Sequence, residues 1–449
     1  MNIKKTILLL AFLYAQLLLI AQNYDVSLKL DRAIQLTLEQ SEILKLDSGK
    51  INEARAKYMQ AYNQKLPFAS VSASYVRMSD NISPFTIQNS AGNKFELNPQ
   101  VLNQYYTTVS VGEVLYAGNK TKLAIASLHY LENASRLDAK KDKADIIFNA
   151  INAYYNLYKI QQTKQAIEEN IVQVKEHLKN IKSYEKNGLA LKNDVLKIEL
   201  QLSSLNQSFI DINTALDIAS YNMSLMLGYD AGTTYQLSAE DFFQKNLDKT
   251  YDDYLNSGLM NRFELKSVDN KIKSAETNVK SSKNNLYPTV NAGANYYNNR
   301  PNARVFPAAP EFTGTWDARL TLSWNFSSLW TNKSKVAESK SLLKQTQASK
   351  ELVIDEIKME VNADYLSYLK TKEKIKVSQT AVLQAEENYR IVNNQFKNNT
   401  ALISDLTDAN TLLLQSHINL LVDKADADVA YYKLMKSSNL NFFTDYLNQ

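Results

Sequence analysis

The seven prolines of this 449-residue chain fall in two islands, at positions 67, 84 and 99 and at 288, 301, 307 and 310. Outside the islands run long segments without proline and almost without glycine: Asn119 to Asn187, Ala190 to Leu227, Asn332 to Asn398 and Ala401 to Ser438. Proline breaks helix interiors, because it lacks a donor and its ring clashes with the preceding turn. Its confinement leaves these segments free to be helices. As one helix, Asn119 to Asn187 would be on the order of 100 Å long at ~1.5 Å per residue. No single globular core has that dimension, so an elongated, mainly α-helical chain is expected.

The helical segments carry a seam. Val195, Ile198, Leu202, Leu205, Phe209 and Ile212 step three and four residues apart, and Leu406, Leu413, Leu420, Ala427 and Leu434 recur every seven. This is the spacing of antiparallel coiled-coil packing, although either stripe alone would also suit the core of a soluble bundle. The chain also repeats itself. Leu66-Pro67 and Tyr287-Pro288 each open a strand-like stretch. "YTTVSVGEVLYAGNKTKLAIAS" answers "DARLTLSWNFSSLWTNKSKVAES", and "KNGLALKNDVL" answers "KNNTALISDLTDA". Duplication of one unit is implied, each copy reading helix, strand, loop, strand, long helix, tight turn, helix. The first repeat is placed at 23–228 and the second at 263–449. A more polar, irregular segment at 229–262 lies between them and is expected to form a belt around the middle of the elongated helical body.

Four strands are expected, at 68–77, 105–116, 289–298 and 315–326. The last, "TWDARLTLSWNF", alternates almost without fault. Trp316, Ala318, Leu320, Leu322, Trp324 and Phe326 fall on one face, and Asp317, Arg319 and Asn325 fall on the other. Each stretch supplies the ~9–11 residues that a membrane-crossing strand needs. Tyrosines and tryptophans cluster in and beside them as aromatic girdles do. Taken strand by strand, a pair of hairpins half-buried on helices fits equally. Closure separates the two. Four strands make an open sheet whose edges are intolerable in lipid, and they are too few for a membrane barrel. Several copies must pool them, and three copies give a twelve-stranded barrel wide enough for a water-filled lumen. Asp317, Arg319 and Asn325 would line that water. Residues 79–104 and 300–312 become exposed loops.

The first residues, MNIKKTILLLAFLYAQLLLIAQ, have the layout of a secretory signal cut near Ala21 or Gln22, so 1–22 is read as a signal peptide. No later stretch approaches the ~18 apolar residues of a membrane helix. There is no cysteine, hence no disulfide and no site for N-terminal lipid attachment. The net charge of +4 falls to +2 once Lys4 and Lys5 leave with the signal, which argues against nucleic acid as the main partner. His129, His177 and His417 are widely separated with no ligand partner a helical turn away, and no phosphate-binding loop occurs. No catalysis, metal site or cofactor is expected.

With LP-x-A-S-V-S-A-S-Y, YPTVNAGANY, "NRFEL" before a helix and the paired turn motifs in this order, the chain resembles the TolC-type outer-membrane efflux family. The resemblance covers both repeats. It implies a homotrimer in which a twelve-stranded barrel in the outer membrane continues into a long α-helical tunnel through the periplasm. Such a duct docks to a periplasmic adaptor and an inner-membrane transporter, and serves efflux of drugs and toxic compounds or, alternatively, type I protein secretion. It also implies that the turns at Gly188 and at Asn399 and Thr400 are the periplasmic tips. Asp405 and Asp408 match the family's carboxylate rings at the tunnel's narrowing, with Asp194 in the equivalent place of the first repeat. Six clustered acids would raise some of their pKa values and attract cations. Read from position alone, acids in a first helical turn simply complement the helix dipole, for ~0.3–1 kcal/mol. Phe396 and Ala401 stand where the family has a tyrosine and an arginine that latch the tip by polar links. Neither can make such a bond, so a looser or differently held tip is expected. Two other classes stay in view: a periplasmic coiled-coil scaffold, released by osmotic shock, and a self-sufficient porin, disfavoured by the helical content.

Overall fold

A computed structural model describes residues 25–81, 83–98, 100–237, 247–306, 309–398 and 400–440. The expected signal at 1–22 lies outside them. The described elements run β1 (Asp25–Leu28), α1 (Leu30–Gln40), α2 (Glu42–Asn63), β2 (Phe68–Arg77), β3 (Phe85–Gln88), β4 (Lys94–Asn98), β5 (Asn103–Tyr116), α3 (Lys120–Lys186) and α4 (Lys192–Leu227). They continue as β6 (Thr234–Leu237), α5 (Tyr251–Asn261), α6 (Phe263–Lys283), β7 (Thr289–Arg300), β8 (Thr313–Ser323), α7 (Ser328–Lys397) and α8 (Ile403–Ser438). The chain divides into two compact units. One comprises Met1–Asp47, Asp138–Leu265 and Leu352–Gln449, and the other Ser48–Leu137 and Lys266–Glu351.

The duplication is visible in the helices. The long pair α3 and α7 have 67 and 70 residues, and their partners α4 and α8 have 36 each. Both shorter helices end on a left-handed residue, Gly228 at φ 76° and Asn439 at φ 50°. Glycine and asparagine tolerate that conformation, which lets the chain leave the helix abruptly.

The core of the first unit is built where α1, α3, α7 and α8 meet. Ile147, Ile151, Tyr154 and Tyr155 of α3 pack with Ile34, Ile357, Val361, Tyr432 and Leu434. Buried tyrosines need partners for their hydroxyls. Tyr154 donates to the Leu28 carbonyl at 2.9 Å and Tyr155 to Asp428 Oδ2 at 3.1 Å. Strand β1 pairs in parallel with β6, from Asp25 opposite Thr234 to Leu28 opposite Leu237. Within 229–262 the structure thus holds β6 and α5, residues 238–246 lying outside the described ones.

The second unit contains a four-stranded antiparallel sheet in the order β2-β5-β7-β8. Side chains of paired residues share a face, so the register sorts the whole sheet. One face carries Val71 and Tyr75 of β2, Val109 and Val111 of β5, Tyr296 of β7, and Trp316, Leu320 and Leu322 of β8. The other carries Ser70 and Ser72, Thr108 and Ser110, Asn295 and Tyr297, and Thr315, Asp317, Arg319 and Thr321. Two aromatic bands mark the ends of the apolar face. Near the loops, Tyr105 lies 5.1 Å from Tyr75 and 5.6 Å from Phe312, ring to ring. At the helix end, Trp324 lies 4.4 Å from Phe326 and donates from Nε1 to the Leu286 carbonyl. A Cβ at Gly112 would lie 2.6 Å from the exposed Phe68 ring, which would have to move aside for a larger residue.

Several boundaries differ from expectation. Strand β8 stops at Ser323 rather than Phe326, and α7 begins at Ser328 rather than Asn332. The cause is Asn325, whose Oδ1 accepts from the Ser327 backbone at 3.1 Å and starts the helix early. Strands β5 and β7 are each two residues longer at the loop end than expected. The expected loop at 79–104 holds a hairpin, β3 paired with β4. Its turn is closed by Asn89, which accepts at Oδ1 from the Ala91 and Asn93 amides, and by Gly92 at φ 83°.

Candidate functional site

The two helix reversals α3–α4 and α7–α8 lie in the first unit and share one design. After α3, the Leu189 amide bonds back to the Tyr184 carbonyl at 2.8 Å, and Gly188 takes φ 74°. After α7, the Thr400 amide bonds to the Gln395 carbonyl at 2.8 Å, and its hydroxyl donates to the same oxygen at 3.0 Å. These are six-to-one closures that satisfy carbonyls left free at a helix end. Asn399, expected as the second tip residue, lies outside the described residues.

Each returning helix starts the same way. Leu191 and Leu402 occupy the caps, and neither side chain can bond a free amide. Asp194 and Asp405 compensate from three residues on. Asp194 Oδ2 accepts from the Leu191 amide at 3.1 Å and Asp405 Oδ2 from the Leu402 amide at 3.2 Å. The carboxylates thus act as helix caps, with the macrodipole in their favour. Asp408, one turn further, makes no such bond and lines a groove of about 360 Å³ between α4 and α8 with Ser404 and Thr407. Lys197 of α4 lines the same groove. A basic group therefore stands in the region where acids alone were expected.

Beneath the turns, Val174, Ile181, Val195, Ile198, Ile403 and Leu406 form a buried cluster joining α3, α4 and α8. Phe396 packs against it from α7. Phe396 thus serves in apolar packing rather than in a polar latch, and Ala401 is half-buried beside the turn. Lys182 of α3 and Glu199 of α4 pair at 2.7 Å.

Sequence reasoning missed three polar links that cross between helices. Asn170 of α3 and Asn410 of α8, which is 1 % exposed, exchange amide hydrogen bonds at 3.0 and 3.2 Å. A buried amide pair of this kind penalises any slippage of one helix past the other. His177 of α3 meets the Tyr389 hydroxyl at 3.0 Å, and His417 of α8 meets Glu386 at 3.5 Å. Both partners belong to the same turn of α7. Burial holds the His177 imidazole below the ordinary histidine range, with Glu176 opposing that shift and Lys397 adding to it. No search for neighbours three or four residues away could find these partners, because they are on other helices. Among the described residues there is no group of three His, Cys, Asp or Glu side chains able to hold a metal, and no helix long and apolar enough to cross a membrane.

Residues 254–440 match the family model described as "Outer membrane efflux protein". No curated protein matches the chain in sequence. Three solved channels share its fold. The outer membrane protein VceC of Vibrio cholerae has a TM-score of 0.74 at 15% identity, covering 92% of this chain and 96% of its own. The CmeC outer membrane channel of Campylobacter jejuni has 0.75 at 14%, covering 91% and 85%. The open state of the MtrE outer membrane channel of Neisseria gonorrhoeae has 0.74 at 14%, covering 91% and 88%. At these identities the likeness speaks for the fold: four strands per copy for a shared β-barrel, joined to an α-helical tunnel. Residues 254–440 are thus similar in sequence to outer-membrane efflux proteins, and nearly the whole described length shares the fold of these outer-membrane channels.

Proposed function

We propose that this protein is the passive exit duct, in the outer membrane, of a tripartite efflux system. It would carry small molecules such as drugs and toxic compounds from a periplasmic adaptor and inner-membrane transporter to the exterior. It is a channel and performs no catalysis. The observation that carries the proposal is the sheet: one face mainly apolar, interrupted by Thr107 and Glu113 of β5 and Asn298 of β7, the opposite face mainly polar, and the outer edges of β2 and β8 without a strand neighbour among the described residues. Lipid tolerates no open edge, so β2 of one copy takes β8 of the next, and a homotrimer closes a twelve-stranded ring. The helices leave the sheet at the end opposite its loops; on this reading the loops face the exterior and the reversals at Gly188 and Thr400 form the periplasmic tip. That tip is where an adaptor docks. Cross-linking at a cysteine placed at Asn187, in a chain that has none of its own, should capture inner-membrane transport proteins in a trimeric complex. Recovery of only a soluble single copy would end the proposal.

In this duct Asp408 is the group that meets passing ions, while Asp405 and Asp194 chiefly hold the helix starts. Asp408→Ala should lower cation preference in planar bilayers and leave the melting temperature unchanged. Asp405→Ala should cost roughly 0.5–1 kcal/mol of stability, the lower half of what a lost helix cap removes. Equal selectivity in Asp408→Ala and the parent would remove Asp408 from the constriction.

A further inference from the structure

Just after β7 the segment from Asn302 to Arg304 turns back onto the sheet instead of running away from it. Asn302, 2 % exposed, donates from Nδ2 to the Thr313 carbonyl at 2.8 Å and to Thr315 Oγ1 at 3.1 Å. Its Oδ1 accepts from the Arg304 amide at 3.0 Å. Both ends of one amide are thus used to aim the next residues. Arg304 then places its guanidinium 4.2 Å from the centre of the Tyr297 ring and donates to Asp317 Oδ2. The other carboxylate oxygen of Asp317 accepts from Asn295 Nδ2 at 2.8 Å.

The register fixes which side of the sheet this is. Asn295 pairs with Asp317 and Tyr297 with Thr315, and the same rows continue to Ser110 and Thr108 of β5. All lie on the polar face. Asp317 is also four residues into β8 from its loop end, so Arg304 reaches down the face rather than resting on the rim. Immobilising an arginine costs side-chain freedom, which an exposed ion pair alone does not offset. The ring contact and the buried Asn302 bracket supply what the pair lacks, so the folded-back segment is a held conformation.

We infer that in the assembled trimer the segment of each copy from Asn302 to Arg304 lies inside the outer mouth of the barrel, and that the Arg304–Asp317 pair sets the width of the opening. This rests on the shared-barrel reading, in which the polar face lines the lumen. Three such segments folded inward narrow the exit by steric bulk. Arg304 and Asp317 thereby become determinants of the size of solute that can pass between the lumen and the exterior. Releasing the pair frees the segment to swing outward and widens the mouth.

Because the chain has no cysteine, Thr321→Cys gives a unique probe on the polar face, deeper along β8 than Asp317. Intact cells are treated from outside with a small impermeant maleimide and, separately, with a polyethylene-glycol maleimide. The small reagent should label Thr321→Cys at the same rate in all backgrounds. The polymer should react about tenfold faster when Arg304→Ala or Asp317→Asn is added, the ratio given by a barrier lowered by about 1.4 kcal/mol. The exchange Arg304→Asp with Asp317→Arg should return the polymer to the slow rate. Asp317→Asn keeps the side chain's shape, and so stands in should Arg304→Ala fail to assemble. An unchanged polymer rate in assembled variants overturns the constriction. If the small reagent reaches Leu320→Cys on the apolar face but never Thr321→Cys, the shared barrel itself falls.

Discussion

Arginine in place of Leu320 should abolish accumulation of the trimer in the outer membrane, whereas arginine at the adjacent Thr321 should leave it intact. The two positions are neighbours on β8 but project to opposite faces. Leu320 is 71 % exposed in the single chain and lies beside Ala292, in the field of Trp316, Tyr296 and Leu322. A cation on the lipid face of a barrel costs about 2–4 kcal/mol near the midplane. Each trimer carries that cost in three copies. Thr321 pairs with Asn291 on the polar face, where a long charged side chain meets water. Membrane fractionation with heat-modified gel mobility measures both variants. Equal loss, or equal survival, would mean that the two faces do not meet different solvents. Recovery of folded Leu320→Arg by osmotic shock would favour the periplasmic scaffold.

Arg262→Ala should destabilise the helical unit by ~3–5 kcal/mol, the cost of removing one partner from a buried charge network. Arg262 sits between α5 and α6 and is 9 % exposed. Its Nη2 and Nε grip Glu264 at 2.7 and 3.1 Å, while its Nη1 donates to Glu360 of α7 at 2.7 Å and to the Ser437 carbonyl of α8 at 3.1 Å. Burial opposes the guanidinium's charge, but the bonds and attraction from Glu264 and Glu360 outweigh it and raise its pKa. Without Arg262 two carboxylates and a carbonyl lose their common donor. Arg262→Lys should recover only part of the loss, because an ammonium cannot grip Glu264 with two parallel bonds while reaching α7 and α8. Thermal melts of the purified trimer read the series. A melting point for Arg262→Ala close to the parent's would show that the network is dispensable.

Much of this architecture was legible because strong periodicities survive in a single sequence. The alternation from Trp316 to Leu322 identified β8 and its two faces, and the proline islands bounded the long helices. The alternation also misled: Trp324 and Phe326 continue the pattern, yet they pack against each other after the strand has ended. The β3–β4 hairpin was hidden because its strands have only four and five residues, too short to show a period. Pairing of β1 with β6 joins residues some two hundred positions apart and leaves no local trace. At the reversals, position alone could not separate a pore acid from a helix cap. The bonds from Leu191 and Leu402 show that Asp194 and Asp405 cap their helices, a role that sequence position already allowed. Within "NRFEL" the local Arg262–Glu264 grip gives no sign of the partners that arrive from α7 and α8.

The open edges of the sheet have a consequence for biogenesis. Joining β2 to β8 is a head-to-tail contact between unlike surfaces, and such a contact carries no instruction to stop. Whether copies make a ring or an endless ribbon depends on the turn each sheet imparts to the next. In the proposed trimer each chain presents two adhesive borders of ten and eleven residues until the third copy arrives, and its safety rests on how fast the circle is completed.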